Sequence, residues 1–274
     1  MEPKIVTTTS VFPKGYSAQK AIEILSAIGF DALDMAFDYW VYSKESPFLS
    51  DNYLKWAEEL RELSEKQGIP YTHSHCPGGA DSGDIIGRTI KAASILGARY
   101  MVLHPMYREE DQSEITDPER FIKLNAEYTR PWIEEAVKHD IIILSENLDT
   151  GASIDPRNIA ELVREIDSEN FGWCFDVGHA NCFGYKPDIL TKCEIVPLSL
   201  HIHDNYGDYD DHYIPGKGNV DWNEFTQVLK KTGYCGDCVL EAHSQAKEAQ
   251  ENERPAILSA LLDAGKEIRK NMSV

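Results

Sequence analysis

Eight short β-branched or apolar runs alternate with longer stretches of helical periodicity along this chain, and the third to the eighth end on, or just short of, a histidine or a carboxylate. The runs cover 5–8, 32–36, 69–75, 100–104, 141–146, 171–176, 196–204 and 238–242. Helical patterns fill the intervals at 18–28, 51–66, 84–96, 118–139, from 156, near 187–190, 221–232 and 255–270. In the second of these Leu54, Ala57, Leu60 and Leu63 recur at every third residue, and Gly68 closes it. A strand followed by a helix, eight times over, predicts an α/β fold that closes into a (β/α)8 TIM barrel, a single domain over residues 1–274. The rival is a doubly wound open sheet. Its glycine-rich phosphate loop is missing, because Thr7-Thr8-Thr9-Ser10 follows the first run.

In a parallel barrel every strand C-terminus opens on one face, where active sites form. The strand ends here supply His75, His104, Glu146, Asp176, His201 and Glu241. His179 lies three residues beyond Asp176, and Asp210 and His212 occupy the loop after the seventh run. Carboxylates crowded at one mouth repel one another unless a cation offsets them. Nitrogen and oxygen donors without thiolate suit zinc, manganese, iron or cobalt. Each residue alone has an ordinary reading: His104 as a structural histidine, Glu146 as a cap for the next turn, Asp176 and His179 as a loop hydrogen bond. Their joint placement on six successive strand ends carries the metal reading. His201 and His203 alternate onto the same strand face, so either can be the ligand from strand seven. His139 closes a helix, where an imidazole suits the dipole, and His73 and His243 are expected near the site rather than in it.

Acidic residues outnumber basic ones 46 to 27, a formal charge of −19. Such a surface repels phosphate backbones, so nucleic acid is disfavoured as a partner. No apolar run reaches membrane-spanning length and no signal-peptide pattern opens the chain, so no membrane partner is expected. The six cysteines include one C-x-x-C pair, Cys235 and Cys238, with no second pair to complete a structural zinc site. Cysteine usage of this kind fits a reducing cytoplasm.

The chain resembles the xylose-isomerase-like barrels, which include sugar and sugar-phosphate isomerases and epimerases, inosose dehydratase and the endonuclease IV group. The resemblance follows the order of elements through the whole chain. It is most specific in Leu103-His104-Pro105, Glu146-Asn147-Leu148, Asp176-Val177-Gly178-His179, His201-Ile202-His203-Asp204-Asn205, Asp210-Asp211-His212, Gly216-Lys217-Gly218 and Leu240-Glu241. By resemblance to the ketose epimerases, Glu146, Asp176, His201 and Glu241 hold one divalent metal and His179 contacts substrate. By resemblance to the endonuclease branch, His75, His104, Glu146, Asp176, His179, His201, Asp210, His212 and Glu241 match a three-zinc set. Lys217 departs from the glutamate usual between those two glycines; a cation there can meet a phosphate or carboxylate on a small substrate, and its ordinary reading is a side chain pointing to solvent.

The expected function is therefore a divalent-metal-dependent isomerase or epimerase acting on a sugar, sugar phosphate or related polyol. Glu146 and Glu241, on strands across the barrel from each other, would exchange a proton at a carbon next to a carbonyl through a metal-stabilised enediolate. One tightly held zinc, manganese or cobalt ion is expected, with a second possible near His104 and Asp210, within a range of one to three. Trp40, Phe37 and Tyr42 are expected to wall a sugar pocket. The rivals are an endonuclease IV-like zinc phosphodiesterase on abasic DNA, an inosose dehydratase-like lyase and a non-catalytic metal-bearing barrel. The segment 107–117, with Arg108 against five carboxylates, is a poor grip for a duplex. Self-association through the outer helices is expected from the resemblance.

Overall fold

The computed structural model describes residues 2–41, 46–78 and 83–272. Its strands are β1 (Ile5–Thr8), β2 (Ala32–Ala36), β3 (Tyr71–His75), β4 (Tyr100–Val102), β5 (Ile142–Glu146), β6 (Phe171–Asp176), β7 (Ser199–Ile202) and β8 (Cys238–Leu240). Its helices are α1 (Ala18–Ile28), α2 (Asp38–Val41), α3 (Tyr53–Lys66), α4 (Gly83–Leu96), α5 (Pro118–Val137), α6 (Pro156–Ile166), α7 (Val177–Cys182), α8 (Leu190–Cys193), α9 (Trp222–Thr232), α10 (Ser244–Glu248) and α11 (Arg254–Met272). The strands pair in parallel in chain order and β8 returns to β1, so the sheet closes into a (β/α)8 barrel.

Local chemistry starts the helices where the pattern places them. Ser17, Asp117, Asp155 and Asp221 each accept a backbone N–H of the first turn, with Pro118 and Pro156 supplying a fixed φ just inside two of these starts. Outward residues such as Ile5, Leu33, Ile143, Phe175 and Leu240 pack beneath the helices. Inward positions form smaller groups, Val6, Ala32 and Val239 in one and Val102, Ile142, Leu144 and Cys174 in another. The polar residues of the strand ends lie at the mouth.

Some bounds differ from the sequence expectation. Strand seven was expected over 196–204 and pairs only over Ser199–Ile202, since Pro197 offers no N–H and Asp204 bridges instead to Tyr213. The helix expected near 187–190 is a 3-10 turn at Pro187–Ile189 that runs into α8. α7 begins at the residue after β6 because the Asp176 side chain accepts the His179 N–H at 2.7 Å and caps it.

Gly178 sits where no side chain fits, because a Cβ there would lie 1.9 Å from the His203 ring. Gly178→Ala is expected to push that ring off Asp176, costing about 1–3 kcal/mol in a thermal melt. A melt unchanged from wild type would count against this packing.

Candidate metal centre

Four buried side chains from four strands or their ends meet above the barrel: Glu146, Asp176, His201 and Glu241, with one ligand atom of each inside 4.8 Å of the others. His201 Nδ1 lies 2.6 Å from Glu146 Oε1, 3.4 Å from Glu241 Oε2 and 3.9 Å from Asp176 Oδ2. Glu146 also belongs to a second group. Its Oε2 lies 3.2 Å from His104 Nε2 and 3.5 Å from His75 Nε2, and the two nitrogens are 3.1 Å apart. A third group is His75, His201 and Glu241, and a fourth is His179, His203, Asp210 and His212. Asp210 Oδ2 lies 2.8 Å from His212 Nε2 and 3.4 Å from His179 Nε2.

The alternatives left open at strand seven resolve into two places. His201 stands in the four-residue group, while the fully buried His203 places Nε2 3.0 Å from Asp176 Oδ1 and 3.6 Å from Asp210 Oδ1. Asp176 thus faces two groups, as Glu146 does.

Hydrogen bonds to backbone carbonyls orient three of the histidines. His75 Nδ1–H donates to Cys76 O, His179 Nδ1–H to Asn147 O and His212 Nδ1–H to Glu241 O, at 3.1, 2.9 and 2.9 Å. A carbonyl only accepts, so in each neutral ring the lone pair lies on Nε2, which faces the carboxylates. Backbone or carboxylate partners fix metal-ligating imidazoles in this way. His212 reaches its place from φ 50°, a left-handed conformation uncommon outside glycine.

The loop that delivers Asp210 and His212 is held from Asp204. Its carboxylate accepts the N–H groups of Asn205, Gly216 and Val220 and the Trp222 indole N–H. Gly218 closes that loop, where a Cβ would stand 2.2 Å from Asn205 O. The Gly-Lys-Gly motif therefore has a structural role of its own, and Lys217 stands exposed on it.

The donor set fits a divalent ion. Glu146 Oε2, Asp176 Oδ2, Asp210 Oδ1 and both ring nitrogens of His203 are buried without a hydrogen bond among the described residues. Orphaned buried acceptors are costly, and a cation satisfies several at once. Burial raises the Glu146 carboxyl, but His201, His104 and His75 more than offset it and hold the group well below the usual carboxylate range. Burial likewise lowers His75, while Glu146 and Glu241 outweigh it and push the imidazole up to about 9. Asp210, with His179 and His212 as partners, is also held low despite its burial.

A pH prediction follows from His75, which rises from 6.5 to about 9 in the folded protein. In the chelated protein its contribution to stability is complete below 6.5 and lost as pH rises through about 9. A divalent ion beside Glu146 and His201 repels that proton, so metal affinity is expected to rise over the same window, by up to about tenfold per pH unit for each proton released. Melts of chelated protein and metal titrations, each from pH 6.5 to 9, should therefore trend in opposite directions. Parallel trends would contradict this assignment.

All nine residues expected at the mouth come together. Trp40 instead lines an apolar pocket with Phe12, Tyr16, Met35 and Tyr39 and packs on Trp56 at 5.3 Å. Phe37 is buried against Phe48 at 4.8 Å, and Tyr42 lies outside the described residues. Asp34 is a site residue that the sequence does not single out: an inward carboxyl of β2 whose Oδ2 has no hydrogen bond among the described residues, and which burial pushes up to about 6. No pattern in the sequence marks it, because β2 offers no second ligand-type residue beside it. His243 was placed near the site, and its ring does stack on His212 at 4.0 Å.

The model of the family described as xylose isomerase-like TIM barrel matches residues 22–261. An uncharacterized protein of Methanocaldococcus jannaschii is 28% identical over 220 residues, covering 75% of this chain and 74% of the relative. Among solved structures, a D-tagatose 3-epimerase-like protein is 26% identical with a TM-score of 0.71, over 96% of this chain and 98% of that one. The IOLI protein with a bound zinc atom shares the fold at a TM-score of 0.79 and 16% identity, over 98% and 99% of the two chains. With its closed eight-stranded barrel and a family match that leaves only the ends of the chain uncovered, this protein belongs to the xylose isomerase-like TIM-barrel family.

Proposed function

We propose that this protein is a divalent-metal-dependent isomerase or epimerase of a sugar or sugar derivative. The observation that carries the reading is the pair Glu146 and Glu241, which converge with Asp176 and His201 from strands three places apart in the ring. A metal at these four residues would polarise a substrate carbonyl and its neighbouring hydroxyl, acidifying the adjacent C–H. Glu146 and Glu241 approach the substrate from different sides. One carboxylate takes the carbon-bound proton, and the other returns a proton to the opposite face or to the adjacent carbon. His179 Nε2 faces the mouth and holds a substrate oxygen. Burial of Glu146 keeps water from competing for the proton. The likeness to a D-tagatose 3-epimerase-like protein supports the sugar assignment.

The presence of several overlapping ligand groups favours a second reading, a multi-metal phosphodiesterase. A formal charge of −19 weighs against a nucleic-acid substrate. A panel of ketoses and aldoses incubated with the enzyme in deuterated water, beside an activated phosphodiester, separates the readings. A deuterated epimer or isomer is expected. Phosphodiester cleavage with no sugar turnover would overturn the proposal.

A further inference from the structure

The metal-ligand candidates arise from β3 to β8 and the segments that follow them, so the arc of the mouth above β1 and β2 carries none of them. A substrate engaged at Glu146 and Glu241 has that arc left for its far end. In a chain of net charge −19, this arc carries two lysines beside the carboxyls of Asp34 and Asp38. Lys14, on the loop after β1, and Lys247, on α10 after β8, place Nζ 6.0 Å and 5.0 Å from the centroid of one ring, Tyr39. Tyr39 is fixed, being largely buried with its hydroxyl donating to Ser10 O at 2.9 Å.

The segments bearing the two lysines are braced together. Arg254 is buried, donates to Ala246 O and Ala249 O at 2.8 and 2.7 Å, and covers the rings of Phe12 and Tyr16 at 5.8 and 5.7 Å. It thereby ties the α10 segment to the β1 loop. Lys247 follows His243 by four residues, and His243 stacks on His212 at 4.0 Å, so the pair adjoins the metal-ligand candidates. Asp38 and Glu248 are the acidic groups acting on Lys247, and among the described residues Lys247 forms no ion pair. Burial, with repulsion from Lys14, holds its ammonium below the ordinary lysine value. Two cations held over one ring repel, and an anion between them removes that cost.

We infer that Lys14 and Lys247 form a subsite for an anionic group, a phosphate ester or a carboxylate, on the end of the substrate remote from Glu146 and Glu241. The inference rests on the reading of the site given above and narrows its substrate to a sugar phosphate or a sugar acid. The test is calorimetric titration of the metal-loaded protein with D-fructose, D-fructose 6-phosphate and D-fructuronate. One charged ligand is expected to bind at least about tenfold more tightly than the neutral sugar, the gain of one or two charge-assisted hydrogen bonds. Which ligand does so names the anion. Lys14→Gln combined with Lys247→Gln should bring the ratio to within about twofold while affinity for D-fructose stays unchanged, and Lys247→Arg should keep the preference. Equal binding by wild type, or a preference that survives the double substitution, would overturn the subsite, the latter by placing the anion on the metal. A failure of the isomerase reading has a different signature: the affinity ratio persists and no ligand takes up solvent deuterium.

Discussion

Glu146→Gln is expected to abolish solvent-deuterium exchange, a fall of at least about 10³-fold set by the loss of a positioned base. The amide keeps the shape of the side chain but accepts no proton. The fold should survive, since the change is nearly isosteric. The effect extends beyond proton transfer because Glu146 lies within reach of His201, His75 and His104. Without its charge the imidazoles of His75 and His201 lose a main cause of their raised pKa values, and metal affinity near the four-residue group should drop. Glu241→Gln should show the same catalytic loss and should also weaken metal binding, as Glu241 shares one group with Glu146, Asp176 and His201 and another with His75 and His201. Retained turnover in both variants would place the bases elsewhere.

Asp176→Ala carries the second large effect. Asp176 is fully buried, caps α7 through the His179 N–H, and faces both His201 and His203. Loss of the cap alone costs about 0.5–2 kcal/mol. Removing the carboxylate also leaves His203 with Asp210, at 3.6 Å, as its remaining carboxylate partner among the described residues. Bound metal, measured by elemental analysis after gel filtration, is expected to fall at least about tenfold, because one charged ligand of four is gone. Full occupancy in this variant would remove Asp176 from the metal assignment.

How much was legible in the sequence can be judged residue by residue. The closed barrel was readable because most strands are apolar or β-branched runs and most helices carry a cap and a stop, as Ser17 and Gly29 do for α1. Elements of four to six residues such as α2, α7 and α10 were not, since one turn contains no period to detect. The ligand candidates were readable because a strand end fixes both the height and the face of a side chain. Their division into four overlapping groups was not. It depends on register, which sets Asp176 beside His201 across β6 and β7, and on the loop that Asp204 folds back. His203 shows the limit most clearly: parity places it inward with His201, and only the path of the chain after Ile202 sends it to Asp210. Asp34 was hidden for the opposite reason, as a lone carboxyl midway along an apolar strand.

The most direct test of the central claim is a metal titration of the exchange reaction. The protein is stripped with chelator, and zinc, manganese or cobalt is added back in fractions of an equivalent while deuterium uptake into a turned-over sugar is followed. The account predicts no exchange without metal and a linear rise that saturates at one equivalent, with Glu146, Asp176, His201 and Glu241 as the site that fills. Undiminished exchange in the stripped protein, or activity that appears only as a third equivalent binds, would contradict it.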